Sequence, residues 1–411
     1  MRVPSAKIAT LLSVLAALSA CTDRAPAPTG PGISASRSGV PFSSGLASPV
    51  WQAVAGAQAI GPTPPVGSLN PLQAAHAYAL LGVAQYLAVQ EADAAVGSDG
   101  RSQFEAERGA VAGASAAVLT YLFPGATQSF EDLVSEQANA GLGQPHPWLA
   151  RGEAIGREVG AGIVARARND HFGLPLNPAP PVGPQYWTSN SPTAPVAGGD
   201  LPGVTPWFLT SASQFRPGPP SAFGSAAFLA DLAEIRTISD IRTAAQTQIA
   251  TYWALNAGTV TAAGFWLQVA TDNINARGLS EREATHVYAL TSATMLNAAI
   301  GCWDAKLFYW LVRPWKADPL ITTTAAVGKP NHPSYPSGHS CVSASGAEVL
   351  STFFPEDRDR LSAMVTEAGL SRMYGGIHYR FDIDSGQALG RNVARFAIAA
   401  DASGNSVLTT R

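Results

Sequence analysis

On either side of one interruption, apolar residues recur every three or four positions along this chain, and nowhere do they alternate with the two-residue period of a strand. The runs 72–89, 110–122, 153–167, 228–249, 286–310, 343–353, 357–368 and 387–400 are therefore predicted to be helices, and the fold all-α. With 411 residues and 46% hydrophobic content, the chain can bury a sizeable core. Between Leu174 and Phe223 the period stops and Pro and Gly dominate, with Tyr186, Trp187, Trp207, Phe208 and Phe215 among them. A solvated linker would be more polar. The segment is expected to pack on the helices, either as a wrapped loop over a site or as a plain crossover. The organisation that follows is an N-terminal helical half at 51–175, a crossover at 176–223 and a C-terminal half at 224–405, where the reactive residues cluster.

Only 13% of residues are charged and the net charge is −3, so no broad basic surface suggests nucleic acid and no such partner is expected. Positive charge is instead gathered locally, in three blocks: Lys306 through Arg313-Pro314, Pro336-Ser337-Gly338-His339, and Ser371-Arg372 through His378 to Asp382. Lys306 and Arg313 stand seven apart in a helical run, which predicts one face two turns apart, about 10 Å along the axis. Pro314 puts Arg313 near that helix's end. Their neighbours Leu307, Phe308, Tyr309, Trp310, Leu311 and Val312 are apolar, so both charges need an anion or an ion-pair partner.

The prolines make 331–339 a loop, running into a helix of small residues from Ser340 onward. Its end then meets a helix N-terminus, where free N–H groups favour an anion. Gly338 permits close backbone approach, Ser337 adds a hydroxyl, and His339 is a candidate general acid or base. Arg372 precedes Gly375-Gly376, which allows the turn that brings His378 inward. Asp382 lies four residues beyond His378, a helical spacing at which its carboxylate takes one ring proton and leaves the other nitrogen aimed at the anion. Together these parts describe a socket for a tetrahedral oxyanion.

The three blocks, in order and without a gap, resemble the signature of the superfamily that joins the type 2 phosphatidic acid phosphatases to the vanadium-dependent haloperoxidases. The resemblance implies two packed helical bundles of the haloperoxidase type. It implies a vanadate or phosphate held by Lys306, Arg313, Ser337, Gly338 and Arg372, with His339, His378 and Asp382 catalytic. In the haloperoxidases the residue matching His378 is the vanadium ligand, and in the phosphatases it is the covalent nucleophile. Trp303 and His332 resemble the haloperoxidase branch and are expected in the halide or substrate pocket. That branch implies vanadate as cofactor, with hydrogen peroxide, halide and organic small molecules as partners. The alternative is a soluble periplasmic acid phosphatase working through a phosphohistidine. A third reading is a non-catalytic, lipid-anchored anion-binding protein. One departure stands at Asn256, where similar haloperoxidase stretches carry an acid that steadies an anion-binding arginine.

Arg2 and Lys7 precede an apolar stretch, 8–18, too short to span a bilayer. Leu18-Ser19-Ala20-Cys21 resembles the lipobox of bacterial lipoproteins, which implies a signal peptide at 1–20, lipidation of Cys21 and a flexible tether at 21–50; an ordinary secretory signal is the other reading. Thr22 after Cys21 resembles lipoproteins sent to the outer membrane, so the protein is expected to be exported and lipid-anchored there, facing the periplasm or the cell surface. Cys302 and Cys341 either pair, as exported proteins allow, or stay reduced and buried in helices.

Overall fold

Alanine- and glycine-rich helices can approach one another until their backbones nearly touch, and this chain uses that freedom throughout. In the computed structural model, residues 45–61, 66–96, 100–139, 146–174 and 178–409 are described. They hold thirteen α-helices: α1 (Ala47–Ile60), α2 (Pro71–Val96), α3 (Gly100–Leu122), α4 (Thr127–Asn139), α5 (Pro147–Ala167), α6 (Ala226–Asp240), α7 (Ala244–Tyr252), α8 (Thr261–Arg277), α9 (Glu281–Tyr309), α10 (Pro314–Ala317), α11 (Gly338–Phe353), α12 (Arg358–Tyr374) and α13 (Arg380–Ala402). Among the described residues the only β-type pairing is an isolated bridge between Tyr186 and Leu311. The expected signal peptide, Cys21 and most of the tether lie outside the described residues. The tether's expected end does not: α1 begins at Ala47, whose N–H donates to Glu281 Oε2 at 2.6 Å while that of Ser48 donates to Oε1 at 2.9 Å.

The tightest packing joins α3 to α5. Gly109 and Gly113 on one helix face Gly152, Gly156 and Gly160 on the other, each set spaced by four so that it lines one face. A Cβ on Gly156 would lie 2.1 Å from the Ala110 carbonyl oxygen, so no side chain fits there.

Helix α9 is the spine. Ser280 and Glu283 close a reciprocal capping box at its start. Its apolar residues lie all round the cylinder because α2 packs on one side and α11 and α13 on another. The run 228–249, expected as one helix, is two. Thr243 interrupts it by capping α7, with its hydroxyl accepting from Gln246 N and Gln246 Oε1 accepting from Thr243 N. Helices α1 and α4 fall largely within the N-terminal half expected to be helical though outside its named runs, whereas α8 and α10 were not foreseen; in α8 the polar Thr271, Asp272, Asn273 and Asn275 dilute the apolar period.

Over its described residues, 178–223, the crossover packs on the helices. Trp187 stacks on Trp310 with ring centroids 5.9 Å apart, and Asn297 of α9 accepts the N–H groups of Phe208 and Leu209 at 3.1 and 3.2 Å. Its Ala197 carbonyl takes the indole N–H of Trp303 at 2.8 Å, which places the crossover against the C-terminal end of α9.

Candidate active site

Four segments meet there: the C-terminal end of α9 with the strand-like stretch after it, the loop entering α11, the end of α12, and the turn entering α13. They enclose a cavity of about 340 Å³, on whose wall Trp303, Arg313, His332, Gly338, His339, Arg372 and His378 all appear. Lys306, Ser337 and Asp382 stand behind that wall. Apolar lining comes from Leu72 and Ala75 of α2, Ala263 of α8, and Ala299 and Val342.

Lys306 and Arg313 do not share a helix face. Helix α9 ends at Tyr309, Trp310 turns left-handed at φ 52°, and Arg313 is extended at ψ 151° before Pro314 opens α10. Pro314 excludes helical geometry at Arg313, and the docking of Trp310 on Trp187 occupies the next turn of helix. Lys306, fully buried, spends its ammonium on backbone: it donates to the carbonyls of Pro333 at 2.9 Å, Ser334 at 2.8 Å and Pro336. All three protons are thereby used, so Lys306 ties down the loop that presents Ser337 to His339. Burial pushes its pKa down to about 8.

Arg313 is the hub. Nε donates to His332 O at 2.9 Å, Nη1 to Ile377 O at 2.7 Å and to His378 Nε2 at 3.1 Å, and Nη2 to His332 Nδ1 at 3.1 Å. A guanidinium only donates, so these contacts assign His378 Nε2 as an acceptor. Its proton sits on Nδ1, which meets Asp382 Oδ2 at 2.8 Å. Asp382 Oδ2 also accepts from Ser334 Oγ at 2.6 Å and Tyr379 N at 3.1 Å. The pair joins the turn to the helix start, for His378 lies just before α13 and Asp382 in its first turn. Both residues do not ride one helix as their spacing suggested. Burial raises Asp382 to about 6, against the pull of Ser334 and Lys306.

Arg372 ends α12, and Gly376 makes the turn after it at φ 74°, where a Cβ would meet Thr322 O at 2.4 Å. Its Nε donates to Ser371 Oγ at 2.8 Å and its Nη2 to Ala250 O at 3.2 Å. No carboxylate meets it among the described residues, and burial alone drives its pKa down to about 9. Asn256, at the cavity wall, donates instead to Ala326 O at 2.9 Å. His339 Nε2 lies 3.2 Å from Ala254 O, which as a carbonyl must accept, leaving Nδ1 unprotonated. Burial, then the charge of Arg372, pushes His339 down to about 3. His332 and His378 are driven well below their ordinary range by burial and Arg313. Ser337 caps α11, its hydroxyl accepting from Ser340 N, and its own N–H donates to Asp382 O at 2.9 Å. Cys302 and Cys341 are free and buried.

Lys306, Arg313 and Arg372 are buried cations, and among the described residues Asp382 is the one carboxylate whose charge acts on Lys306 and Arg313, while none acts on Arg372. Neutral imidazoles do not balance the surplus, and an oxyanion does. The donor set fits vanadate or phosphate: two guanidinium groups and the N-terminus of α11 line the space, and His378 lines it with its one acceptor nitrogen, Nε2, which here accepts a hydrogen bond from Arg313 Nη1. Ser334 and the Ala250 and Ala254 carbonyls carry no motif spacing that would have marked them in advance.

Residues 283–402 match the PAP2 superfamily. The chain carries a PAP2 superfamily domain. Over 124 residues it is 30% identical to a non-specific acid phosphatase of Providencia stuartii, a match covering 29% of this chain and 48% of that relative, about half its length. Among solved structures, a bacterial vanadium-dependent iodoperoxidase superposes with a TM-score of 0.73 at 22% identity, covering 86% of this chain and 95% of that one. A bacterial vanadium-dependent chloroperoxidase in its holo form superposes with a TM-score of 0.61 at 15% identity, covering 82% and 94%. The PAP2 domain therefore sits within a larger helical fold of the vanadium haloperoxidase type, and α1 to α8 lie before it in sequence.

Proposed function

We propose that this protein is a vanadium-dependent haloperoxidase that oxidises halide with hydrogen peroxide and passes the halogen to organic small molecules. The observation that carries the reading is a cation-rich cavity to which the N-terminal helices contribute: Leu72 and Ala75 of α2 line the same space as Arg313, Arg372 and His378. Vanadate, when bound, supplies a Lewis-acidic centre that activates peroxide toward halide. Arg313 and Arg372 bind and orient the oxyanion, and Asp382 fixes the proton of His378 on Nδ1, so that Nε2 offers its lone pair once Arg313 Nη1, which it now accepts from, turns to the anion's oxygens. His339, neutral and open at Nδ1, accepts a proton from incoming peroxide; burial depresses this imidazole most, and negative charge placed beside Arg372 relieves the further depression that Arg372 adds and strengthens it as a base.

The local identity to an acid phosphatase favours a second reading, in which His378 Nε2 attacks phosphorus and the arginines carry the equatorial charge. Purified protein assayed with peroxide, iodide or bromide and a phenol dye, with and without vanadate, and then with p-nitrophenyl phosphate, separates the two. Halogenation that requires vanadate supports the proposal. Phosphate-ester hydrolysis blocked by vanadate, with no halogenation, overturns it. Export and anchoring through Cys21 belong to the same proposal: Cys21→Ser is expected to move the protein from the membrane to the soluble fraction, and unchanged fractionation would remove the anchor.

A further inference from the structure

Beside the anion cavity runs an open groove of about 470 Å³, walled by Asn190, Trp315, Lys316, Pro319 and Lys329. Lys329 also lines the cavity, so the two recesses share a boundary. Trp315 links them: its ring centroid lies 5.4 Å from the Arg313 guanidinium, which lines the cavity, and Trp315 itself lines the groove.

The groove's charge is one-sided. Lys316 Nζ donates to Thr188 Oγ1 at 2.8 Å and Ser189 O at 3.2 Å, which holds the ammonium in place and leaves one proton for a ligand. Lys329 is exposed at the rim. Among the described residues neither ammonium meets a carboxylate, for Asp318, two residues from Lys316, goes to Arg236 at 3.2 Å. Burial and the Lys329 charge both lower the Lys316 pKa, so the two cations feel each other. Two ammonium groups that share a groove with an indole and a proline ring suit a carboxylate on a flat apolar body.

We propose that this groove docks the organic acceptor and selects molecules bearing a carboxylate on an aromatic ring, the ring's far end directed past Lys329 toward the cavity. What happens to the docked molecule rests on the haloperoxidase reading: hypohalous acid exchanges a ring C–H for C–halogen, its hydroxyl leaving with the ring proton as water. Binding itself does not rest on that reading.

Calorimetric titration of the full chain with 4-hydroxybenzoate and its neutral counterpart 4-hydroxybenzamide, with and without saturating vanadate, tests the assignment. The benzoate is expected to bind about tenfold tighter than the amide, and Lys316→Gln with Lys329→Gln is expected to abolish that preference while amide affinity stays put. Equal binding of the two by the unaltered protein overturns the proposal. So does a preference that survives the double substitution, which would put the carboxylate on Arg313 and Arg372 instead. Iodide oxidation without acceptor is measured in parallel. An inert protein that keeps the lysine-dependent preference refutes the haloperoxidase reading and upholds the groove; turnover without the preference does the reverse.

Discussion

His378 has one ring nitrogen held by Asp382 and the other covered by Arg313, and that arrangement fixes which lone pair any oxyanion chemistry uses. Asp382→Ala removes the acceptor that sets the tautomer, and loss of such a supporting partner is expected to weaken vanadate affinity about 10–100-fold, measurable by titrating vanadate against activity or by calorimetry; unchanged affinity would detach Asp382 from the site. The imidazoles also set a pH dependence. His332, His339 and His378 have pKa values lowered on folding, so the unfolded chain holds more protons below the ordinary 6.5, and stability falls as pH drops from there. For His339, lowered to about 3, the loss at about pH 5 is on the order of 2 kcal/mol. Asp382, raised to about 6, acts in the opposite sense between its ordinary 3.8 and that value, one group against three. Urea midpoints at the two pH values are expected to differ less in His339→Asn than in the unaltered protein; an identical slope would contradict the buried neutral state. At this scale the sequence was informative: Arg313, Arg372, His339 and His378 surround one cavity, as their residue types and blocks suggested. The role of Lys306 was not legible, because nothing in a seven-residue spacing says that the carbonyls of Pro333, Ser334 and Pro336 will take all its protons.

Between elements, the packing of α3 on α5 rests on backbone contact at glycines four residues apart. Gly156→Ala would drive a methyl into the Ala110 carbonyl, and overpacking of this kind is expected to cost about 1–3 kcal/mol. Gly162, on the exposed side of the same helix with nothing within 4 Å of a Cβ, supplies the control: Gly162→Ala is expected to stabilise by roughly 0.5–1 kcal/mol. Thermal melts that fail to separate the two substitutions would contradict the close approach. The helices with regular three- and four-residue spacing were readable from sequence. Their ends were less so, since capping at Thr243 and the left-handed turn at Trp310 depend on single residues and on tertiary partners. Trp310 shows this most clearly: an unbroken apolar pattern ran through it, yet stacking against Trp187, far away in sequence, decided where α9 stopped.

In the whole molecule, α9 brings the N-terminal helices and the PAP2 domain onto one axis, contacting α2 with one side and α11 and α13 with another. The cavity depends on that union, because its cations come from the C-terminal segments and part of its apolar wall from α2 and the crossover. Composition and period gave the all-α class, but not this sharing of a wall, since the small residues Ala75, Ala197 and Ala299 have no chemistry to announce themselves. The account's central claim is that an oxyanion sits between Arg313 and Arg372 with His378 Nε2 facing it. A crystal of the protein soaked in vanadate tests this directly. The expected result is vanadium density bonded to His378 Nε2 inside the cavity, with its oxygens against both guanidinium groups; vanadate bound elsewhere, or a cavity holding none at saturating concentration, would contradict it.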